Sequence, residues 1–155
     1  MQITIRLANK NDVDAIRFLY RDTIIAVNSK DYSEAQIKIW SGTFVNVDSL
    51  LKKISDQYFL VAEANGQIIG FSSLQHDGLL YFMYVHKDFQ GIGVAGKLLE
   101  GIIEKAKKIK LKEIVSHVSI TAKPFFEKKG FEKDGEIINK IHEVEFVNSI
   151  MIKKF

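Results

Sequence analysis

The stretch Phe89-Gln90-Gly91-Ile92-Gly93-Val94-Ala95-Gly96-Lys97 holds the clearest chemistry in this 155-residue chain. An apolar, aromatic run of strand type, Leu79–Val85, precedes it, and a pattern of helical period follows. A glycine-rich turn from a buried strand into a helix lets the backbone pass close to a ligand. The first free N–H groups of that helix favour an anion. The turn is therefore expected to hold a phosphate or pyrophosphate. Gly91 to Gly96 also spells G-x-G-x-x-G, the dinucleotide fingerprint. That reading is set aside, because the preceding strand ends an antiparallel series and Glu113 opens the next strand instead of closing it. The Lys and Ser/Thr of a phosphate-binding P-loop are missing as well. A purely structural tight turn is the remaining alternative.

Composition narrows the chemistry. There is no cysteine, which excludes disulfides, thiolate metal sites and cysteine nucleophiles and suits a reducing cytoplasm. The net charge is +3, and Lys105, Lys107, Lys108, Lys110 and Lys112 read as a solvated helix face more than a nucleic-acid stripe. The first residues lack a signal-peptide pattern, and no apolar run is long enough to span a bilayer. We expect a cytoplasmic protein, residues 1–155 forming one domain, with no metal, nucleic acid or membrane partner.

The positioning elements follow from periodicity. Gln2–Leu7 alternates as a strand with Ile3, Ile5 and Leu7 on one face. Asn9 or Asn11 caps a helix carrying Val13, Ile16, Leu19, Tyr20, Thr23, Ile24 and Val27. Ser33-x-x-Gln36 has capping-box spacing and opens a helix through Trp40. Another short helix starts at Asn46 or Asp48. Tyr58–Ala64, Asn65-Gly66 and Gln67–Leu74 make a hairpin, and Leu79–Val85 is a third antiparallel strand. A helix then runs to about Ile109 with a stripe of Val94, Leu98, Leu99, Ile102, Ala106 and Ile109. Glu113–Val118 is expected to lie parallel to Leu79–Val85. Thr121–Lys129 is a short helix with Pro124 in its first turn and Gly130 after it. Phe131–Lys140 and Glu143–Lys153 are terminal strands, the last free to pair across a dimer. The expected class is α+β (mixed α/β): a mostly antiparallel mixed sheet of six or seven strands flanked by four or five helices.

Read from Gln90, the turn becomes Gln90-x-x-Gly93-x-Ala95, which resembles the Gln/Arg-x-x-Gly-x-Gly/Ala motif of the GNAT (GCN5-related) N-acetyltransferases. Ala122-Lys123-Pro124-Phe125-Phe126-Glu127-Lys128-Lys129-Gly130-Phe131 is similar to that family's second motif, Ala-x-x-Phe-Tyr-Glu-Lys-x-Gly-Phe. Asn28-Ser29-Lys30-Asp31-Tyr32-Ser33 and Trp40 are similar to a small bacterial subgroup. The element order matches over essentially the whole chain.

The resemblance implies a GNAT fold with a central splayed parallel pair, Leu79–Val85 and Glu113–Val118, and acetyl-CoA as cosubstrate. Backbone groups of Met83, Tyr84 and Val85 would bond the pantetheine arm. The N–H groups across Gln90, Gly91, Ile92, Gly93, Val94, Ala95 and Gly96 would hold the pyrophosphate. The implied activity is acetyl transfer to a primary amine of a small molecule or peptide by direct attack. The alternative is a non-catalytic acyl-CoA-binding sensor or interaction domain. The chain departs from the family where proton transfer is expected. The usual tyrosine is Phe126, the usual asparagine is Ser119, and Leu79–Val85 holds no carboxylate. Catalytic candidates are then Ser119, His117 and Tyr81, with Thr121 nearby; Ser119 and Phe126 would also touch the cofactor. His76, His86 and His142 read as solvated. Tyr32 and Trp40 fall where the family builds its acceptor site. Lys123, Lys128 and Lys129 could approach the cofactor's ribose phosphate. The oligomer is a monomer or homodimer.

Overall fold

The computed structural model describes Met1 to Phe155. In chain order the elements are β1 (Thr4–Leu7), α1 (Val13–Ala26), α2 (Glu34–Ser41), α3 (Asp48–Asp56), β2 (Tyr58–Ala64), β3 (Gln67–Leu74), β4 (Leu79–Val85), α4 (Val94–Lys108), β5 (Glu113–Val118), α5 (Lys123–Lys128), β6 (Glu132–Ile141) and β7 (Val144–Lys154). The seven strands form one sheet in the order β1-β2-β3-β4-β5-β7-β6. Every neighbouring pair is antiparallel except β4 and β5. The α+β class expected from the element order is the one observed.

Local chemistry explains most boundaries. The Asn9 side chain accepts from the Asn11 N–H, and the Asp12 carboxylate accepts from the Asn9 N–H at 2.8 Å, so a capped single turn leads into α1. Ser33 and Gln36 exchange the same pair of bonds at the start of α2. Asn65 and Gly66 both take positive φ, +52° and +75°, as a tight two-residue hairpin turn requires.

The sheet buries a core on each face. On one side α4 sets Val94, Leu98, Leu99, Ile102 and Ala106 against β2–β5. Each of the large side chains among them contributes roughly 1.5–3 kcal/mol by leaving water. A Cβ at Gly70 would stand 2.9 Å from Val94 Cγ1, and one at Gly101 would stand 2.8 Å from Leu60 Cδ1. The glycines thus let α4 lie close on the strands. On the other side α1 and α3 pack Ile16, Leu19, Tyr20, Ile24, Leu50 and Ile54 on Phe59, Phe71 and Phe82.

Four expectations are corrected. Leu7 is 59% exposed, because β1 ends there and the chain turns away. Ile109 is exposed, since α4 stops at Lys108. The last short helix spans Lys123–Lys128 only. The last strand, β7, has both edges filled by β5 and β6, so the free edge belongs to β6.

Candidate active site

β4 and β5 pair at only two positions, Leu79 with Val115 and Leu80 with Ser116. The Ser116 hydroxyl donates to the Leu80 carbonyl at 2.9 Å and pins the last point of contact. Beyond it the strands part. A bulge lies at that point: on β3, Ser73 faces Phe82 and Leu74 faces Leu80, so Tyr81 has no partner. An extra residue bends its strand and increases its twist. β5 meanwhile follows β7 from Glu113 to Val118. A cleft of about 680 Å³ opens between them.

The backbone groups facing this gap can be counted. Hydrogen-bonded pairs alternate along an antiparallel ladder. The His86 N–H donates to the Ile69 carbonyl at 2.8 Å, which turns the amides of Tyr84 and Phe82 toward β3 as well. Those of Met83 and Val85 therefore face the gap. This corrects the expectation for Tyr84, whose side chain lines the cleft while its amide belongs to the sheet. The Val85 carbonyl is already used: it accepts from Gln90 Nε2 at 2.6 Å and from the Thr23 hydroxyl at 3.3 Å. Gln90 thus ties the glycine turn to the strand before it. The Met83 N–H and C=O and the Val85 N–H remain without a strand partner.

At the mouth of the gap the turn enters α4. Gly91 and Gly93 have φ of +73° and +94°, and a Cβ added at either would meet nothing within 4 Å. The turn is thus open on its outer side, with the first amides of α4 directed out of it. A Cβ at Gly96 would lie 3.5 Å from Lys129 Nζ, which brings a cation to the same helix end. These features fit a pyrophosphate and an extended amide-bearing arm. Ile92 does not line the cleft and is 49% exposed. His86 takes a structural part, its Nδ1 accepting from the Asp88 N–H at 3.0 Å.

The far wall is tied down by α2 and the turn before it. The Tyr32 hydroxyl accepts from the Ile120 N–H at 2.8 Å, and Thr121 donates to the Asp31 carboxylate at 2.7 Å. Gln36 Nε2 donates to the Glu145 carbonyl at 2.9 Å. Trp40 packs edge-on against Tyr32 and Phe146. Burial pushes the Tyr32 hydroxyl above its ordinary pKa, partly offset by the Ile120 amide and Ser119. Burial likewise raises Tyr20 to about 12 and Tyr84 well above the usual value. All three phenols hold their protons near neutral pH.

The proton-transfer candidates are spread around this cavity. The Ser119 hydroxyl accepts from the Ala122 N–H at 3.1 Å, capping the turn into α5. His117 is exposed; its β5 neighbours Ile114 and Val118 point into the α4-side core, so it faces the opposite side. Tyr81 packs edge-on against Phe82, a member of the α1-side core, so it shares that side. Phe126 is 2% exposed, with Phe125 and Phe131 edge-on at 5.4 and 5.0 Å. Of the candidate site residues named from the sequence, all but Ile92 and Lys123 line this cleft.

Sequence reasoning missed Asn139, Phe146 and Asn148, because nothing local signals that β7 lies beside β5. It also missed Tyr20, Thr43 and Phe44, which read as ordinary helix and loop packing. No carboxylate lines the cleft, and its only basic residues are His117, Lys128 and Lys129. No cluster of His, Cys, Asp or Glu is placed to hold a metal ion. No helix is long and apolar enough to cross a membrane.

The chain is similar to known proteins in sequence and in fold. The uncharacterized N-acetyltransferase YafP of Escherichia coli K12 is 29% identical over 131 residues, 84% of this chain and 81% of its own. A GCN5-related N-acetyltransferase from Rhodopseudomonas palustris superimposes with a TM-score of 0.96, covering 100% of this chain and 97% of that one at 23% identity. The PaiA N-acetyltransferase of Thermoplasma acidophilum, solved in complex with coenzyme A, superimposes at 0.84 over 100% of both chains, also at 23% identity. At those identities the two structures speak for the fold. The family model described as "Acetyltransferase (GNAT) domain" matches residues 28–148, a span holding the splayed pair, the glycine turn and the far wall, and the chain belongs to the GNAT acetyltransferase family.

Proposed function

We propose that residues 1–155 act as one domain that transfers the acetyl group of acetyl-CoA to a primary amine of a small molecule or peptide. The observation that carries this reading is the parallel pair, joined at two positions and then open onto an α4 capped by Gly93. Acetyl-CoA would supply an activated thioester. The Met83 carbonyl and the Val85 N–H would hold its pantetheine arm as an added strand. The amides from Gln90 to Gly96 and the α4 dipole, with Lys129 beside them, would hold its pyrophosphate. The Met83 N–H also suits the developing negative charge on the thioester oxygen. In the reaction a nitrogen–carbon bond forms, the carbon–sulfur bond breaks, the amine gives up a proton and the thiolate takes one. His117 carries the cleft's one imidazole, the side-chain type here able to take a proton from the amine. Ser119 and Tyr32 are the hydroxyls at the β5–α5 turn able to pass a proton to sulfur.

Phe126 and the carboxylate-free cleft favour a second reading, a non-catalytic acyl-CoA-binding module. Calorimetric titration with acetyl-CoA, paired with thiol release over a panel of amines, separates the two. Saturable binding with amine-dependent release is expected. Binding without release on any amine would support the module, and no binding would refute both.

A further inference from the structure

The acceptor half of the cleft carries a chemical signature of its own. Its wall is built from rings on separate elements: Tyr32 and Trp40 around α2, Phe44 after it, Tyr81 on β4 and Phe146 on β7. Trp40 meets Tyr32 at 5.1 Å and Phe146 at 6.2 Å, both edge-on, so these three rings form one continuous surface, while Phe44 and Tyr81 each pack on Phe82. The polar side chains lining the cleft near them are uncharged amides and a hydroxyl, Asn28, Thr43, Asn139 and Asn148, with the imidazole of His117.

Charges stand only outside this wall. Asp31, beside Tyr32, accepts from the Thr121 hydroxyl through one carboxylate oxygen and does not line the cleft. Lys53 lies over the Tyr81 ring at 5.0 Å, a cation on the outer side of that residue. Lys129 belongs to the opposite end, at the start of α4.

From this we infer that the acceptor is a primary amine carried on an aromatic or other apolar body, with no second positive charge. The inference rests on the acetyltransfer reading and names its substrate class. A second ammonium drawn into this wall would lose its water and find no carboxylate, which is costly for a buried charge. Ring faces attract a cation, though less than water and a carboxylate together. The same setting deals with the attacking nitrogen. Desolvation without an acidic partner lowers an amine's pKa. The amine therefore enters the neutral form that attack requires, and a carboxylate base on β4 is not needed.

The test compares 2-phenylethylamine with putrescine as acceptors, following thiol release at saturating acetyl-CoA. We expect kcat/KM to favour 2-phenylethylamine at least tenfold. Asn148→Asp places a carboxylate in the wall with almost no change in volume. It should narrow that ratio at least threefold while leaving the calorimetric Kd for acetyl-CoA unchanged. Asn139→Asp, on the neighbouring strand, serves if the first variant does not fold. Equal or better use of putrescine by the wild type, or a ratio unmoved by the added carboxylate, overturns the inference alone. Failure to bind acetyl-CoA overturns the acetyltransfer reading and the inference with it.

Discussion

Gly93 caps α4 with φ at +94°, a conformation that costs an L side chain about 1–2 kcal/mol. The space beyond it is open. Gly93→Glu would therefore put up with modest strain, well below the ~5–15 kcal/mol stability of a typical domain. It would also set a negative charge where the amides of α4 await an anion. We expect native far-UV circular dichroism and no calorimetric binding of acetyl-CoA. A variant that still binds would remove the pyrophosphate assignment. Phe126 shows the limit of reading roles from a motif. It keeps the packing of the family's aromatic, between Phe125 and Phe131, and lacks the hydroxyl. The phenol at this end of the cleft is instead Tyr32, reaching over from the turn before α2 to the Ile120 amide.

Among the elements, α1 has the most specific anchor. Arg6 on β1 donates to both carboxylate oxygens of Asp12, at 2.9 and 3.0 Å, and to Glu63 on β2 at 2.8 Å. Asp12 is buried, and the Arg6 guanidinium, helped by the Asn9 amide, holds its carboxyl below the usual carboxylate range. A lowered native pKa means that the stabilisation is complete above the unfolded value, about 4. It is lost as pH falls through the native value. Asp12→Asn should lower stability at pH 7 by about 1–2 kcal/mol. Urea midpoints at pH 7, 4 and 3 should then converge with those of the wild type as acid removes the Asp12 charge, which the variant already lacks. A gap of constant size at all three pH values would assign the effect to packing instead.

At the scale of the whole molecule, two cores clamp a sheet whose neighbouring strands stay paired except where β4 and β5 part. A cosubstrate entering there would bind the folded chain and not the unfolded one. At about 100 times its Kd, acetyl-CoA should add about 2.7 kcal/mol. For a chain of this size that raises Tm by roughly 5–10 °C. NAD at the same concentration should leave Tm unchanged. A matching rise with NAD would restore the dinucleotide reading of Gly91 to Gly96. The sheet's edges are β1 and β6, and β6 is exposed along nearly all of its length, so strand-to-strand pairing between copies is open to these edges and not to β7.

The elements and their order were legible in the sequence because their causes are local. Capping boxes at Asn9 and Ser33, positive φ at Asn65-Gly66 and Gly93, and the apolar stripe of α4 each act within a few residues. The glycine turn was legible for the same reason, since its chemistry lies in its own backbone. Three features were decided only by the tertiary structure. The Tyr81 bulge that helps open β4 from β5 depends on register with β3. The direction of the Met83 and Tyr84 amides depends on which of them β3 claims. The aromatic wall of the cleft depends on β7 lying beside β5, which brings Phe146 to Trp40 across more than a hundred residues. Pairing partners distant in the chain are chosen by the sum of both cores, and no short stretch of sequence records that sum.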